Sequence, residues 1–293
     1  MNFIATAPVV LLRQTQKRVV FAVGLALSLM ACFPVAAQTP AIVYTPVVTT
    51  YAGGATSSTL CSNATDTIGD GCVATSAILN QPISGDVDAA GNIYFPDAIY
   101  NVVRRIDATT GVITLVAGQI SSTSSTPVCS GALDPVGDGC PATQATFNGP
   151  RCVHIDRGGN IIVADTTNNL IRSINKTTGI VTVLMGEYGK VGTTPPANTA
   201  PVTPTTQALD NPYYMIFDPA GNMMVTSASA NYIPIAIAIN GLIDPVNSVV
   251  YDLAGTGGKK AGGGNGGLAG YGFGGASSYS NSFELAVDLI YTF

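Results

Sequence analysis

A chain of 293 residues with 33 Gly, 18 Pro, no Trp and only two glutamates, Glu187 and Glu284, is poor in helix formers. Val, Ile, Thr and Tyr are common, which favours short strands and turns over helices. The formal net charge is −5, and removal of residues 1–37 would take three cations and no acids to leave −8, a surface that repels nucleic acid and anionic lipid heads and suits an exported soluble protein.

The N-terminus reads as a leader. Arg13, Lys17 and Arg18 precede an apolar run over 19–32, and Val35-Ala36-Ala37 supplies small residues for cleavage before Gln38. Residues 1–37 are therefore expected to be a signal peptide, placing the protein in a secreted, periplasmic or cell-surface location. Two alternatives stand beside it. Residues 19–37 could just span a bilayer as a retained anchor, and Cys32 could carry a lipid anchor.

Five of the six cysteines follow the leader. Four form two pairs of identical spacing, Cys61 with Cys72 and Cys129 with Cys140, each with ten residues between and each just upstream of a repeat. In an oxidising compartment this reads as one small disulfide loop per repeat. Closing a loop of that length contributes about 3 kcal/mol by chain entropy. Metal binding is the competing reading, but no CxxC and no clustered histidines accompany the pairs. Cys152 is left over on a predicted buried strand, as a small core residue.

The repeat itself runs over 80–118 and recurs without gaps over 148–186; a looser copy runs over 211–255. Asp88, Asp156, Asp218 and Asp288 recur at intervals of 68, 62 and 70, and Gly53, Gly118, Gly186 and Gly255 at intervals of 65, 68 and 69. Two landmarks with one period signal a repeat architecture. Each unit reads as four short strands. Strand a covers 84–88 or 152–156. Gly91-Asn92 and Gly159-Asn160 turn it into strand b (93–96 or 161–164), strand c follows Asn101 or Asn169, and strand d ends at Gly118 or Gly186. Residues 47–53 look like a strand d standing alone before the first unit. The expected fold is all-β, a β-propeller of four-stranded antiparallel blades covering 47–255.

These motifs together resemble the NHL-repeat β-propellers of the bacterial secreted kind. They are the GDGCxAT lead-in, Asn-x-Pro, the strand ending in Asp, Gly-Asn, the spaced pairs Asp97–Arg104 and Asp165–Arg172, TTGxIT and the closing Gly. In the third copy Ser227 and Pro234 stand at the Asp and Arg positions. The resemblance implies a ring of mostly six blades, whereas the chain holds three and the start of a fourth within a Gly-rich tail (256–293). An open arc, or a fragment of a longer ring, is expected, with self-association through the open blade edge. The last strand, 283–293, alternates apolar and polar residues. A lone outer-membrane barrel strand is its weaker reading, because a barrel needs about eight strands or more.

Candidate site residues are few. Asp97–Arg104 and Asp165–Arg172 span strands b and c, as a polar rim or, since they repeat, as a structural pair within each blade. Asp66 with Asp70 and Asp134 with Asp138 could offer oxygens to Ca²⁺, but two carboxylates in a tight loop fall short of the six to eight oxygens it takes, and turn formation is the preferred role. His154, the only histidine, falls at the same repeat position as Asp86 on the innermost strand. The two could form a buried polar pair or, as a catalytic candidate, a base with its orienting acid. Some propeller relatives implied by the resemblance are lyases with a multi-histidine zinc site or lactonases with a carboxylate-rich metal site. One histidine and two glutamates fit neither within this chain. GxSxG, Walker A and HExxH motifs are absent. Three readings follow: an exported, non-catalytic scaffold that binds protein or glycan without a cofactor; part of a lactonase- or lyase-type enzyme completed by further blades or an oligomer; and a surface-anchored structural repeat.

Overall fold

The computed structural model of this protein describes residues 48–121, 129–192, 202–227 and 232–255. The leader, Cys32, the Gly-rich tail and the expected fourth-blade strand lie outside them. Among these residues twelve strands form three separate antiparallel sheets, each a four-stranded meander in sequence order. Blade 1 is β1 (Asp86–Val87), β2 (Ile93–Asp97), β3 (Val102–Ile106) and β4 (Ile113–Gly118). Blade 2 is β5 (Pro150–Ile155), β6 (Ile161–Asp165), β7 (Leu170–Ile174) and β8 (Val181–Met185). Blade 3 is β9 (Pro212–Phe217), β10 (Met223–Ser227), β11 (Tyr232–Ala236) and β12 (Val250–Gly255). Among the described residues no helix is long and apolar enough to cross a membrane.

The periodic aspartates explain the a–b turn. Asp218 Oδ1 accepts the amides of Ala220 and Asn222 at 2.8 and 2.9 Å, and its Oδ2 accepts the Asn222 side chain at 2.8 Å. The side-chain oxygen of Asn222 then accepts the Ala238 amide at 2.8 Å, tying this turn to the one after β11. Asp88–Asn92 and Asp156–Asn160 repeat the pattern. An Asp followed by Gly-Asn thus fixes the hairpin through its own side chains.

The core lies between sheets. Val103 and Ala117 of blade 1 pack against Phe147, Val153, Val163 and Val181 of blade 2. Ile162, Ala164, Ile171 and Met185 of blade 2 pack against Leu209, Met215, Met223 and Val225 of blade 3. Polar joints frame these cores. Asn101 and Asn169, both left-handed at φ 59°, each reach the next blade. Asn101 Oδ1 accepts the Gly149 amide and Asn169 Oδ1 accepts the Asn211 amide, both at 2.8 Å. The closing glycines do likewise: Gly118 donates to the Ala142 carbonyl at 2.9 Å and Gly186 to the Pro204 carbonyl at 3.1 Å.

Two expectations need correction. Strand a of blade 1 is only the two residues Asp86 and Val87. Ser84 instead forms a parallel bridge to Cys152 of blade 2, and a Cβ on Gly85 would sit 2.3 Å from the Tyr94 carbonyl, too close for β-branched strand packing. The lone closing segment has no strand among its described residues, 48–53. Gly53 nevertheless donates to the Ala74 carbonyl at 2.9 Å, the contact that Gly118 and Gly186 make with later blades. On blade 3 the cluster of Met224, Ile233, Ile235 and Leu253 is at most 4% exposed, while Ile239, Leu242 and Val246 are exposed.

Candidate functional site

The two Arg–Asp pairs are not a rim. Arg104, Asp97, Arg172 and Asp165 are all completely buried. The pairs sit where a bare charge is untenable. Each guanidinium is therefore held by several acceptors. Arg104 Nη1 donates to the Ile78 carbonyl at 2.7 Å and lies 3.5 Å from Asp97 Oδ2. Its Nη2 donates to the Ile68 carbonyl at 3.2 Å and lies 3.0 Å from Asp70 Oδ1. Asp97 Oδ1 in turn accepts the Asn80 amide at 2.8 Å. In blade 2, Arg172 Nη1 donates to the Thr146 carbonyl at 2.9 Å and faces Asp165 Oδ2 at 3.4 Å, while Nη2 donates to the Val136 carbonyl at 3.2 Å. Its guanidinium lies 4.7 Å over the Phe147 ring. Burial pushes Asp97 up to about 6 against the pull of the Asn80 amide and Arg104. Burial likewise raises Asp165 despite Arg172 and the Asn148 amide.

The Asp-Gly loops serve these pairs. Asp66 Oδ1 accepts the amides of Ile68, Gly69 and Asp70 at 3.0, 2.8 and 3.0 Å, and Asp134 Oδ1 accepts those of Val136 and Asp138 at 3.1 and 2.8 Å. Both carboxylates therefore face their own turn. Burial and a hydrogen bond with Asp66 push Asp70 up to about 7, against Arg104. Burial would raise Asp66 too, but its hydrogen bonds, first that with Asp70, outweigh it and lower the value. Blade 2 differs. Asp138 Oδ1 accepts the Val183 amide at 2.5 Å instead of meeting Arg172, and burial raises its pKa. The Nε of Arg172 consequently has no partner. Among the described residues no cluster of three His, Cys, Asp or Glu is placed to hold a metal ion.

Cys61 pairs with Cys72 and Cys129 with Cys140, each across eleven positions. Cys152 is buried between inner strands, its thiol 3.8 Å from Ser84 Oγ and 3.9 Å from the Met215 carbonyl. Burial pushes that thiol up to about 11, which makes it inert as a nucleophile at neutral pH.

The structure does bring Asp86 and His154 together. His154 Nδ1 lies 2.9 Å from Asp86 Oδ2, with about a third of each side chain exposed. Asp86 also accepts the Ile155 amide at 2.9 Å and its neighbour Val87 at 2.7 Å. Burial would raise Asp86, but the bonds from His154 and the two amides outweigh it, and its pKa falls below the usual carboxylate value. The other side of the imidazole stacks on Phe217, with centroids 4.5 Å apart and planes 11° apart. One histidine thus touches all three blades, and its Nε2 makes no hydrogen bond among the described residues. At the far end of the same seam, Arg151 donates to the Tyr213 hydroxyl at 2.9 Å and lies 4.8 Å over its ring. Sequence reasoning paired Asp86 with His154 but missed Phe217 and Tyr213. Their only signal is two aromatic side chains four positions apart on β9.

Residues 131–231, spanning blade 2 and the first two strands of blade 3, match the Teneurin NHL domain. No curated protein matches the chain. Solved structures similar to it include virginiamycin B lyase from Staphylococcus aureus, at 18% identity and TM-score 0.35, covering 60% of this chain and 42% of that one. Another is a nidogen/laminin complex, at 15% identity and TM-score 0.38, covering 62% and 52%. A third is an auxiliary nutrient binding protein from Bacteroides ovatus, at 18% identity and TM-score 0.35, covering 52% and 36%. The chain spans 36–52% of the length of these three. The three four-stranded meanders are propeller-type blades of an all-β fold, and residues 131–231 among them are similar to the Teneurin NHL domain.

Proposed function

We propose that this chain is an exported NHL-type propeller protein that binds a protein or glycan at the inner edge of its blades and performs no chemistry of its own. The observation that carries this reading is the part-exposed Asp86–His154–Phe217 cluster, the place where three blades present polar and aromatic groups together. The remaining ionic groups singled out in the sequence are consumed within the fold as buried pairs and turn caps. An imidazole fixed on one side by a carboxylate and on one face by a ring offers a rigid contact at little entropic cost. Binding of the purified chain to arrayed glycans and to candidate extracellular proteins tests the reading. Binding that is lost in His154→Ala with unchanged circular dichroism supports it; binding indifferent to His154→Ala overturns the placement of the site.

A second reading is favoured by the unoccupied Nε2 of His154. A histidine whose Nδ1 is held by a carboxylate is oriented as a general base, and further blades or a second copy would supply the missing groups of a lactonase- or lyase-type enzyme. Metal analysis discriminates the two: stoichiometric Zn or Ca in purified protein removes the non-catalytic reading. Anchoring at the surface through Cys32 is tested by membrane fractionation beside Cys32→Ala; an unanchored wild type removes it.

A further inference from the structure

In blade 1 the acceptors that surround Arg104 have a common origin. The Ile68 carbonyl and the Asp70 carboxylate both belong to the ring closed by Cys61–Cys72. The Ile78 carbonyl follows six residues after Cys72, and only Asp97 comes from the blade's own strands. Blade 2 repeats this: the Val136 carbonyl belongs to the ring closed by Cys129–Cys140, the Thr146 carbonyl follows six residues after it, and only Asp165 is a strand residue. Blade 3 has no cysteine in its lead-in, and Ser227 and Pro234 replace the Asp and Arg. Disulfide, acidic loop and buried guanidinium are present together in two blades and absent together in the third.

The ring is anchored unequally. On the Cys72 side it is stitched to β4, where Gly71 donates to the Ile113 carbonyl at 2.8 Å and Ile113 to the Cys72 carbonyl at 2.9 Å. On the Cys140 side, Gly139 and Val181 make the same two bonds at 2.8 and 2.9 Å. Cys72 and Cys140 are at most 1% exposed, whereas Cys61 and Cys129 are part-exposed. The disulfide ties the loose limb of each loop to the stitched one, and the loop covers the guanidinium.

We propose that Cys61–Cys72 and Cys129–Cys140 are thiol-exchange sites whose reduction opens blades 1 and 2 while leaving blade 3 closed. The reductant is a dithiol. Its thiolate attacks the accessible Sγ of Cys61 or Cys129, the S–S bond breaks, and Cys72 or Cys140 leaves as thiolate and takes a proton. The second thiol of the reagent then resolves the mixed disulfide. Two electrons pass to the protein, giving two cysteine thiols and one oxidised dithiol. Losing a ring of this size raises the population of the open loop by about 100-fold. Once the loop lifts, Arg104 or Arg172 keeps only its strand aspartate and the later carbonyl, and the guanidinium draws water into the blade.

Hydrogen-exchange mass spectrometry on the full chain tests this, with and without dithiothreitol, beside the pairs Cys61→Ser/Cys72→Ser and Cys129→Ser/Cys140→Ser. Reduction is expected to speed exchange in β3–β4 and β7–β8 by about 100-fold, with β9–β12 unchanged. Each serine pair is expected to affect its own blade alone, and native disulfides that resist dithiothreitol would overturn their assignment as thiol-exchange sites. Adding Arg104→Leu to the first pair should restore slower exchange in β3–β4, because the loop then covers no charge. Exchange in β3–β4 indifferent to the serine pair, a uniform rise across all three blades, or no rescue by Arg104→Leu would each overturn the proposal.

Discussion

Replacing Arg172 with Met keeps most of the aliphatic stem and removes the charge. The change strips two donors from the Thr146 and Val136 carbonyls, held at 2.9 and 3.2 Å, and the cation from Asp165 at 3.4 Å. It also removes the guanidinium from the Phe147 ring. Asp165 stays completely buried. It retains the Asn148 amide and the Asn168 side chain, at 2.8 and 2.9 Å, and its raised pKa lets it take a proton. Breaking a buried pair from one side costs about 3–5 kcal/mol, part of it from stranded acceptors at about 1–3 kcal/mol each. Protonation of Asp165 places the expected loss toward the lower end, about 3 kcal/mol. Urea unfolding followed by far-UV circular dichroism measures it. Adding Asp165→Leu should return about half of the loss, since an apolar pair of similar volume leaves no buried charge. A loss below about 1 kcal/mol for Arg172→Met, or a double variant whose losses simply add, would refute the claim that the guanidinium and Asp165 are held as one unit.

Asn169→Ala removes the acceptor of the Asn211 amide and places Ala at φ 59°; about 2 kcal/mol is expected by urea unfolding, against about 1 for Asn169→Gly, which keeps the backbone conformation. Gly118→Ala, at φ 91°, would set a Cβ 2.3 Å from the Asn101 carbonyl and should cost about 3 kcal/mol or prevent folding. Gly111→Ala, at φ 68° with nothing within 4 Å, should cost about 1 kcal/mol, so equal melting temperatures for the two would contradict the packing described. Asp70 has a folded pKa raised from 3.8 to about 7, so its contribution is fully present below pH 4 and is lost as pH rises to about 7. Stability of the wild type should therefore fall across that window by a few kcal/mol at most, and Asp70→Asn should flatten the profile.

The blades were legible because their signals are local. The Asp-x-x-Gly-Asn turn closes within five residues through its own side chains, so Asp88, Asp156 and Asp218 mark the strand ends directly in the sequence. The pairs Asp97–Arg104 and Asp165–Arg172 were visible as spacing, but their burial was not. It is set by loops 26 to 36 residues upstream, whose carbonyls leave no trace in residue type. The same limit hid the divergence of Asp70 and Asp138, which occupy identical motifs yet face Arg104 in one blade and the Val183 amide in the other. Asp86 and His154 could be paired because register on equivalent strands is arithmetic. Phe217 could not, since it stands one place off the equivalent position in blade 3 and meets the ring across a blade boundary.

The joint made by Asn101 and Asn169 grips a main-chain amide, a group every non-proline residue carries. Gly149 offers it in one case and Asn211 in the other, so the joint does not ask what side chain the incoming blade brings. That indifference lets the interior of a blade drift while its seat is kept. Blade 3 lacks the cysteines, the acidic loop and the arginine, and it docks on blade 2 through the same contact. A gene that copies one such unit copies a plug and a socket together, and the copy needs no matching change in its neighbour to be received.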